Sequence, residues 1–190
     1  MPRPHYVFGY GSLVELREPL LFEGRLHQPV AGRLHGFRRH WGVAMNNWEA
    51  NEGEKHFVDP DSGAKPRIRV AYLDIEECEG ATVNGLAIPV DATRLAELDV
   101  REINYMRIDV SASFRPALPR VFAFRGTDAA RERCRVEAPD DRIHVSRDYV
   151  DRIRAAFAAL GPEHLAEYER TTAPLRFPQR DLELRYPPVD

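Results

Sequence analysis

The chain has 190 residues, which is long enough for one domain with a substantial hydrophobic core. Apolar residues make up 43% and charged residues 30%, a composition typical of globular rather than disordered proteins. The net charge of −3 lacks the basic excess of proteins that bind phosphate backbones, so nucleic acid is not expected as a partner. The two cysteines, Cys78 and Cys134, have neither metal-ligand nor CxxC spacing and indicate no disulfide framework.

The beginning of the chain, MPRPHYVFGYGSL, lacks the cationic segment followed by a long apolar run that a secretory signal contains. No apolar run approaches the roughly 20 residues that a helix needs to cross a bilayer. We therefore expect a cytoplasmic protein without a membrane partner. It is predicted to form a single domain over residues 1–190, with an irregular, proline-rich tail from about residue 171. The sequence leaves the oligomeric state open.

The first half of the chain predicts β-strands. Short apolar and aromatic runs, each bounded by Gly, Pro, Asn or Asp, cover residues 6–8, 30–37, 41–45, 68–73 and 83–90. Residues 46–65 are polar and have no helical or strand period, so they predict a long loop. Hairpin connections are usually only about two to five residues long. Because the loop carries Trp48 and Phe57, we expect it to pack across the mouth of a site, although a plain surface insertion fits equally well.

The second half predicts helices and further strands. Asp91 is a suitable N-cap for a helix over residues 92–100 that turns Leu95 and Leu98 inward. Residues 105–110 alternate as in a half-buried strand, with Met106, Ile108 and Val110 on one face, and residues 121–124 predict another strand. Ser146 is a plausible N-cap for an amphipathic helix that ends before Gly161, and residues 163–169 predict a second short helix. Strands first and helices late indicate an α+β domain with a mainly antiparallel or barrel-like sheet.

The most informative stretch is YVFGYGSLV, residues 6–14. Gly9 and Gly11 flank Tyr10, so the backbone can turn sharply and approach a ligand closely. Successive amides in such a turn form an anion-binding nest that suits a carboxylate, and a plain glycine turn is the alternative. The stretch is not a dinucleotide fingerprint, because Val14 stands where the third glycine is needed. Ser12 also lacks the G-x-S-x-G frame of a hydrolase nucleophile.

The second informative residue is Glu102, which follows the predicted helix of residues 92–100. On the helical count it lies on the same side as the inward-facing leucines, and a carboxylate buried there has a raised pKa that suits proton transfer near neutral pH. A surface glutamate paired with Arg101 or Arg107 is the alternative. A carboxylate-dependent hydrolase using Glu102 with Glu97 is a further interpretation, although their spacing does not favour it. The seven histidines show no metal-ligand spacing.

In this order, the stretches resemble the γ-glutamylcyclotransferase superfamily, which includes ChaC-like and AIG2-like proteins. The matching segments are YVFGYGSL at 6–13, VNGLAIPV at 83–90, LAELDVREINY at 95–105 and SRDYVDRI at 146–153. The resemblance implies a small mixed, mainly antiparallel β-barrel with flanking helices. It also implies that Glu102 is the acid/base, that Tyr105 and Tyr149 line the pocket, and that the glutamyl group binds the backbone of Gly9, Tyr10, Gly11, Ser12 and Leu13. The chain departs from the pattern at Ile103, where the family often has glycine.

The activity that the resemblance implies is conversion of a γ-glutamyl peptide or amine to 5-oxoproline and the free amine. The substrate's α-amine attacks its own γ-carbonyl, so no cofactor and no metal are expected. Glutathione, a γ-glutamyl amino acid, a γ-glutamylamine and a biosynthetic intermediate all remain open as the small-molecule substrate. The alternative function is a non-catalytic binding or regulatory module that retains a pocket for a glutamyl-like ligand.

Overall fold

The computed structural model describes residues 4–48, 55–135 and 142–185. The four helices are α1 (Ala92–Arg101), α2 (Asp128–Arg135), α3 (Arg147–Ala158) and α4 (Pro162–Thr171), and a short 3-10 helix covers Ser12–Glu15. The strands of the first half are β1 (His5–Gly9), β2 (Leu20–Phe22), β3 (Arg25–His27), β4 (Val30–Asn46), β5 (His56–Val58) and β6 (Arg69–Val90). Those of the second half are β7 (Tyr105–Asp109), β8 (Phe114–Arg115), β9 (Val121–Gly126), β10 (Ile143–Ser146), β11 (Gln179–Arg180) and β12 (Glu183–Arg185).

The two longest strands of the main sheet, β4 and β6, pair with each other in antiparallel orientation. Their pairing runs from Val30 opposite Ala87 to Asn46 opposite Arg69, with two irregularities in register. The sequence predicted four separate strands here, and the structure joins them into two. Glycines and charged residues between the apolar runs were misleading, because Gly36 and Gly80 adopt positive φ angles of 79° and 75° within strands that continue through them.

The main sheet has the strand order β11-β10-β6-β1-β9-β7, with β4 and β8 attached through β6. Pairs β1–β9, β6–β10 and β10–β11 are parallel, and the other named pairs are antiparallel. The sheet curls into a half-barrel against which the helices pack. This confirms the predicted α+β class, a mixed and mainly antiparallel barrel-like sheet with flanking helices.

The helix caps agree with the sequence. The side chain of Asp91 accepts a hydrogen bond from the Arg94 amide at the start of α1, and Ser146 accepts one from the Tyr149 amide at the start of α3. Helix α2 was not predicted. Its buried side consists of Ala130, Arg131 and Cys134, so it lacks the large apolar residues that reveal a helical period.

Three predictions about local structure need correction. The segment 46–65 is not loop throughout, because it contains β5, which pairs with β12. The tail, expected to be irregular, supplies both β11 and β12. For β7, the face carrying Met106 was predicted to be buried. In the structure Met106 is 47% exposed, whereas Tyr105, on the opposite face, points its hydroxyl at Leu73. Residues 49–54 of the predicted loop lie outside the described residues.

The apolar side chains form two clusters. The larger fills the space between the curled sheet and helices α1, α3 and α4. The smaller cluster lies on the other side of β4 and β6, where Phe57 of β5 and Leu182 pack on Val43, Val70 and Tyr72. Phe57 is therefore packed on the sheet, as expected for the loop. None of the helices in the described ranges has the length and apolarity needed to cross a membrane.

Candidate active site

The glycine stretch connects β1 to the 3-10 helix. Gly9 is the last residue of β1 and pairs with Leu86 of β6. The neighbouring strand approaches so closely that a Cβ at Gly85 would lie 2.2 Å from the Gly9 carbonyl oxygen. Gly11 and Ser12 then begin the 3-10 helix, and the first amides of a helix have no acceptor within it. The glycine pattern predicts that these amides bind an anionic ligand, and this role stays a prediction.

A buried arginine, Arg39 of β4, holds this stretch in place. Its Nη1 donates hydrogen bonds to the carbonyl oxygens of Tyr10, at 2.8 Å, and Asn84, at 3.1 Å. Its Nη2 donates to Asn84 Oδ1, and its remaining donors reach the hydroxyls of Thr171 and Thr172 at the end of α4. Burial lowers the pKa of Arg39 to about 10, so the guanidinium remains charged at neutral pH. Sequence analysis missed this residue, because a fully buried arginine gives no distinctive pattern.

Glu102 lies at the carboxyl end of α1, where its amide still donates to the Leu98 carbonyl oxygen. Its side chain is only 16% exposed, and Oε1 lies 3.3 Å from Nε of Arg101. Burial raises the pKa of Glu102, while the positive charges of Arg101 and Lys55 act in the opposite direction. The sequence predicted either a buried carboxylate or a surface glutamate paired with an arginine. The structure combines features of both, because the Glu102 carboxylate is largely buried and also contacts Arg101.

Three tyrosines of the candidate site, Tyr10, Tyr105 and Tyr149, have buried hydroxyls. Tyr105 Oη donates a 2.8 Å hydrogen bond to the Leu73 carbonyl oxygen, and Tyr10 Oη donates to the carbonyl of Phe124. The hydroxyl of Tyr149 shares hydrogen bonds with the Ser12 side chain and the Leu73 backbone. It also lies 3.5 Å from the position that a Cβ on Gly11 would take. Gly11, Ser12 and Tyr149 therefore meet at one place.

The electrostatics keep these hydroxyls neutral. Burial raises the pKa of Tyr10, Tyr105 and Tyr149 well above that of free tyrosine, and the charge of Glu102 raises all three further. The site thus offers one carboxylate able to accept a proton and the neutral hydroxyl of Tyr149 as a hydrogen-bonding group, since Tyr10 and Tyr105 already donate their hydroxyl protons to backbone carbonyl oxygens.

A second buried charge, that of Asp74, acts on the candidate site through Tyr10. Asp74 of β6 is fully buried and accepts hydrogen bonds from Arg131 Nε and from the Gly126 amide, both at 2.7 Å. The ion pair joins α2 to β6, and the hydrogen bond from Gly126 joins the end of β9 to the same carboxylate. The charge of Asp74 also contributes to the raised pKa of Tyr10. Sequence analysis missed this pair as well, because neither residue has a motif.

Some predicted features lie apart from this cluster. Leu13 packs in the hydrophobic core, with 7% of its surface exposed. Glu97 pairs with Arg94 on the exposed face of α1, and Ile103 points to solvent with 81% exposure. The structure also contains a groove of about 430 Å³ lined by Pro60, Asp148, Arg152 and residues 181–184. It includes none of the predicted site residues, although Asp148 precedes Tyr149, so a shared cavity between Glu102 and the glycine stretch stays a prediction.

The fold has counterparts among solved structures. A γ-glutamyl cyclotransferase superposes with a TM-score of 0.52 at 15% identity, covering 93% of this chain and 92% of that one. The chain has the γ-glutamyl cyclotransferase fold. An uncharacterized protein from Homo sapiens gives a TM-score of 0.51 at 14% identity, with 95% and 94% of the two chains covered. YkqA from Bacillus subtilis gives 0.51 at 15% identity, and the match spans 89% of this chain but 54% of YkqA.

Sequence comparison adds no relative to these structures. No family model matches the chain, and no curated protein matches it either. At the identities above, the γ-glutamyl cyclotransferase likeness establishes the fold, and the ChaC-like or AIG2-like assignment stays a prediction. Within residues 4–48, 55–135 and 142–185, no three His, Cys, Asp or Glu side chains are grouped as a metal site requires.

Proposed function

We propose that this chain is a γ-glutamylcyclotransferase-type enzyme that converts a γ-glutamyl peptide or amine to 5-oxoproline and the free amine. The observation that carries the proposal is the largely buried carboxylate of Glu102, whose pKa is raised and whose charge also raises the pKa of Tyr10, Tyr105 and Tyr149. The fold, shared with a γ-glutamyl cyclotransferase of known structure, supports the same assignment.

The proposed reaction needs one proton acceptor. Glu102 takes a proton from the substrate's α-ammonium group, and the freed amine attacks the γ-carbonyl carbon to close a five-membered lactam. Attack leaves the ring nitrogen with a positive charge and a second proton. Glu102 gives its proton to the leaving nitrogen as the bond between that nitrogen and the γ-carbonyl carbon breaks, and the released amine takes up the second proton from the ring nitrogen. The carboxylate is thereby regenerated, and the products are the neutral lactam and an ammonium. Because both reacting groups belong to one molecule, the protein need only hold the glutamyl chain in a folded conformation.

The raised pKa of Glu102 makes this transfer easier. An α-ammonium group has a pKa of about 8 and a free glutamate about 4.3, so the mismatch is roughly 3.7 pKa units or about 5 kcal/mol. Burial of Glu102 reduces the mismatch. If the carboxylate were exposed on the surface, proton transfer from the α-ammonium group would still cost nearly the full ~5 kcal/mol of the pKa mismatch.

The other groups of the site bind and orient. We assign the amides of Gly11 and Ser12 to the substrate's α-carboxylate, because they begin a helix and have no partner within it. The Tyr149 hydroxyl lies beside Gly11 and is positioned to hydrogen-bond the glutamyl group. We assign to this neutral hydroxyl of Tyr149 the stabilisation of the negative charge that develops on the γ-carbonyl oxygen during attack.

Release of 5-oxoproline tests the proposal. Purified protein is incubated without added metal or nucleotide with glutathione, γ-glutamyl amino acids and γ-glutamylamines, and 5-oxoproline is measured by mass spectrometry. We expect release from at least one compound, and none from the same compound with its α-amine acetylated, which cannot attack. If folded protein releases nothing from the panel, the non-catalytic binding module replaces the enzyme.

A further inference from the structure

The segment that follows β4 is fastened to the sheet by one buried side chain, Asn47. Its Nδ2 donates 2.9 Å hydrogen bonds to the carbonyl oxygens of Phe57 and Pro66, and its Oδ1 accepts one from the Phe57 amide at 2.8 Å. The Phe57 ring packs on Tyr72 with 6.4 Å between ring centroids. These contacts fix the position of β5, and with it the residue two places before Phe57, which is Lys55.

Lys55 brings a positive charge to the candidate active site. Its Nζ lies 5.6 Å from the centroid of the Tyr72 ring, a cation–π distance. The Tyr72 ring meets Tyr149 edge-on, with 5.1 Å between centroids, and the Tyr149 hydroxyl lies beside Gly11. From the glycine stretch outward, the order is therefore Gly11, Tyr149, Tyr72 and Lys55, so two aromatic rings separate the ammonium from the amides assigned to the glutamyl carboxylate.

The charges around Lys55 favour an anion. Although the residue as a whole is exposed, partial removal of the ammonium from water lowers the pKa of Lys55, and the negative charge of Glu102 raises it. The positive charges of Arg101 and Arg152 also act on Lys55 and lower its pKa. Within the described part of the chain, no carboxylate forms an ion pair with Lys55 at 4.0 Å or less, since Glu102 pairs with Arg101 instead.

We propose that Lys55 is a specificity-determining residue that binds a carboxylate on the leaving group of the substrate. This inference rests on the proposed function. A substrate anchored by its glutamyl end at Gly11 and attacked next to Glu102 extends its leaving group toward the Tyr72 ring and Lys55. Substrates whose leaving group is an amino acid or peptide with a free carboxylate are therefore preferred over γ-glutamylamines, which have no such charge.

A pair of substrates isolates this interaction. γ-Glutamylalanine and γ-glutamylalaninamide differ only in the leaving-group carboxylate, and the ratio of their kcat/KM values is measured for wild type, Lys55→Met and Lys55→Arg. A charge-assisted hydrogen bond is worth about 10- to 100-fold in affinity. We expect Lys55→Met to reduce the ratio by at least about 10-fold, and Lys55→Arg to retain most of it. The control is Lys65→Met, which removes the other lysine of the chain and keeps the wild-type ratio.

The outcomes separate the two proposals. If Lys55→Met lowers kcat/KM for both substrates by the same factor, Lys55 contacts the glutamyl end or acts on Glu102, and the specificity assignment is wrong. If wild type releases no 5-oxoproline from any γ-glutamyl compound, the proposed function fails. Calorimetric binding of the same two compounds to wild type and Lys55→Met then decides the role of Lys55: an unchanged affinity ratio refutes it, and a reduced ratio supports it.

Discussion

Nη1 of the fully buried Arg39 donates a 2.8 Å hydrogen bond to the carbonyl oxygen of Tyr10, in the middle of the glycine stretch. Because the other donors of Arg39 reach Asn84 and the end of α4, a single side chain connects the glycine stretch to two distant parts of the fold. Loss of this arginine has consequences for both stability and binding.

We expect Arg39→Met to reduce the free energy of unfolding by at least about 2 kcal/mol, because it leaves several buried acceptors without donors. KM should rise more than kcat falls, since the glycine stretch positions substrate and does not transfer the proton. Urea unfolding and steady-state kinetics measure the two effects. The matched control is Arg38→Met: the Arg38 side chain is 58% exposed and pairs with Glu76, so its removal costs less than about 1 kcal/mol. Equal losses for the two variants would contradict this role.

Glu102→Gln should keep the fold and abolish turnover, because the amide has nearly the same shape but cannot accept a proton. General acid/base catalysis contributes about 10²- to 10⁴-fold in rate, so kcat should fall at least 100-fold. Glu97→Gln makes the same substitution on the exposed face of α1 and should retain wild-type kcat. Residual activity of Glu102→Gln within about threefold of wild type would show that Glu102 is structural.

The dependence of kcat/KM on pH should report the ionisation of Glu102. The carboxylate must be unprotonated to accept the proton, and burial raises its pKa, so the acid limb of the profile should lie above the usual glutamate value of about 4.3. Arg101 lowers the pKa of Glu102, and Arg101→Met should therefore move the acid limb to higher pH. Arg94→Met, which removes an exposed arginine paired with Glu97, should leave the limb in place. A limb that moves to lower pH in Arg101→Met is incompatible with Glu102 as the base.

Two glycines near the site should respond differently to alanine. At Gly85 the new methyl would lie 2.2 Å from the Gly9 carbonyl oxygen and 2.7 Å from the Phe8 ring, so Gly85→Ala should lower the free energy of unfolding by about 1–3 kcal/mol. At Gly11 the nearest atoms, Leu73 Cδ1 and Tyr149 Oη, are 3.5 Å away, which is ordinary contact. Gly11→Ala should therefore fold with little loss while raising KM, because the methyl occupies space beside the Tyr149 hydroxyl.

Thermal unfolding and kinetics of the two alanine variants provide the comparison. The expectation is a lower melting temperature with largely retained binding for Gly85→Ala, and the reverse for Gly11→Ala. If Gly11→Ala binds substrate as wild type does, the space beside Tyr149 is not used by the glutamyl group.

The sequence was sufficient where a local rule decides the structure. The caps Asp91 and Ser146 and the apolar strand that ends at Gly9 were predicted from residue type and spacing alone. The sequence was insufficient where long-range contacts decide. Arg39 is buried because donors and acceptors from β6 and α4 meet it, and β5 forms because a strand near residue 184 pairs with it. Neither partner lies within the reach of a local pattern.

The same limit applies to the candidate site. Glu102 could be singled out because it follows an amphipathic helix, whereas Tyr149, at the start of α3, entered the predicted site only through the resemblance to the γ-glutamylcyclotransferase superfamily. Lys55 belongs to a polar segment without periodicity, and only its contact with the Tyr72 ring relates it to the other residues. Lys55 reaches the candidate site only through the folding of the chain, so no local sequence pattern marks it as a site residue.

The side chain of Asn47 hydrogen-bonds the backbone at two later points of the chain, Phe57 and Pro66. It therefore holds the ends of the intervening loops together. Because these hydrogen bonds join only Asn47, Phe57 and Pro66, we expect that residues can be added or removed between positions 48 and 57 without shifting the register of β4 against β6. Each doubling of such a segment costs only about 0.6 kcal/mol in closure entropy. Segments of different length and sequence could therefore be inserted at this position to bind new ligands, while the proposed active site stays unchanged.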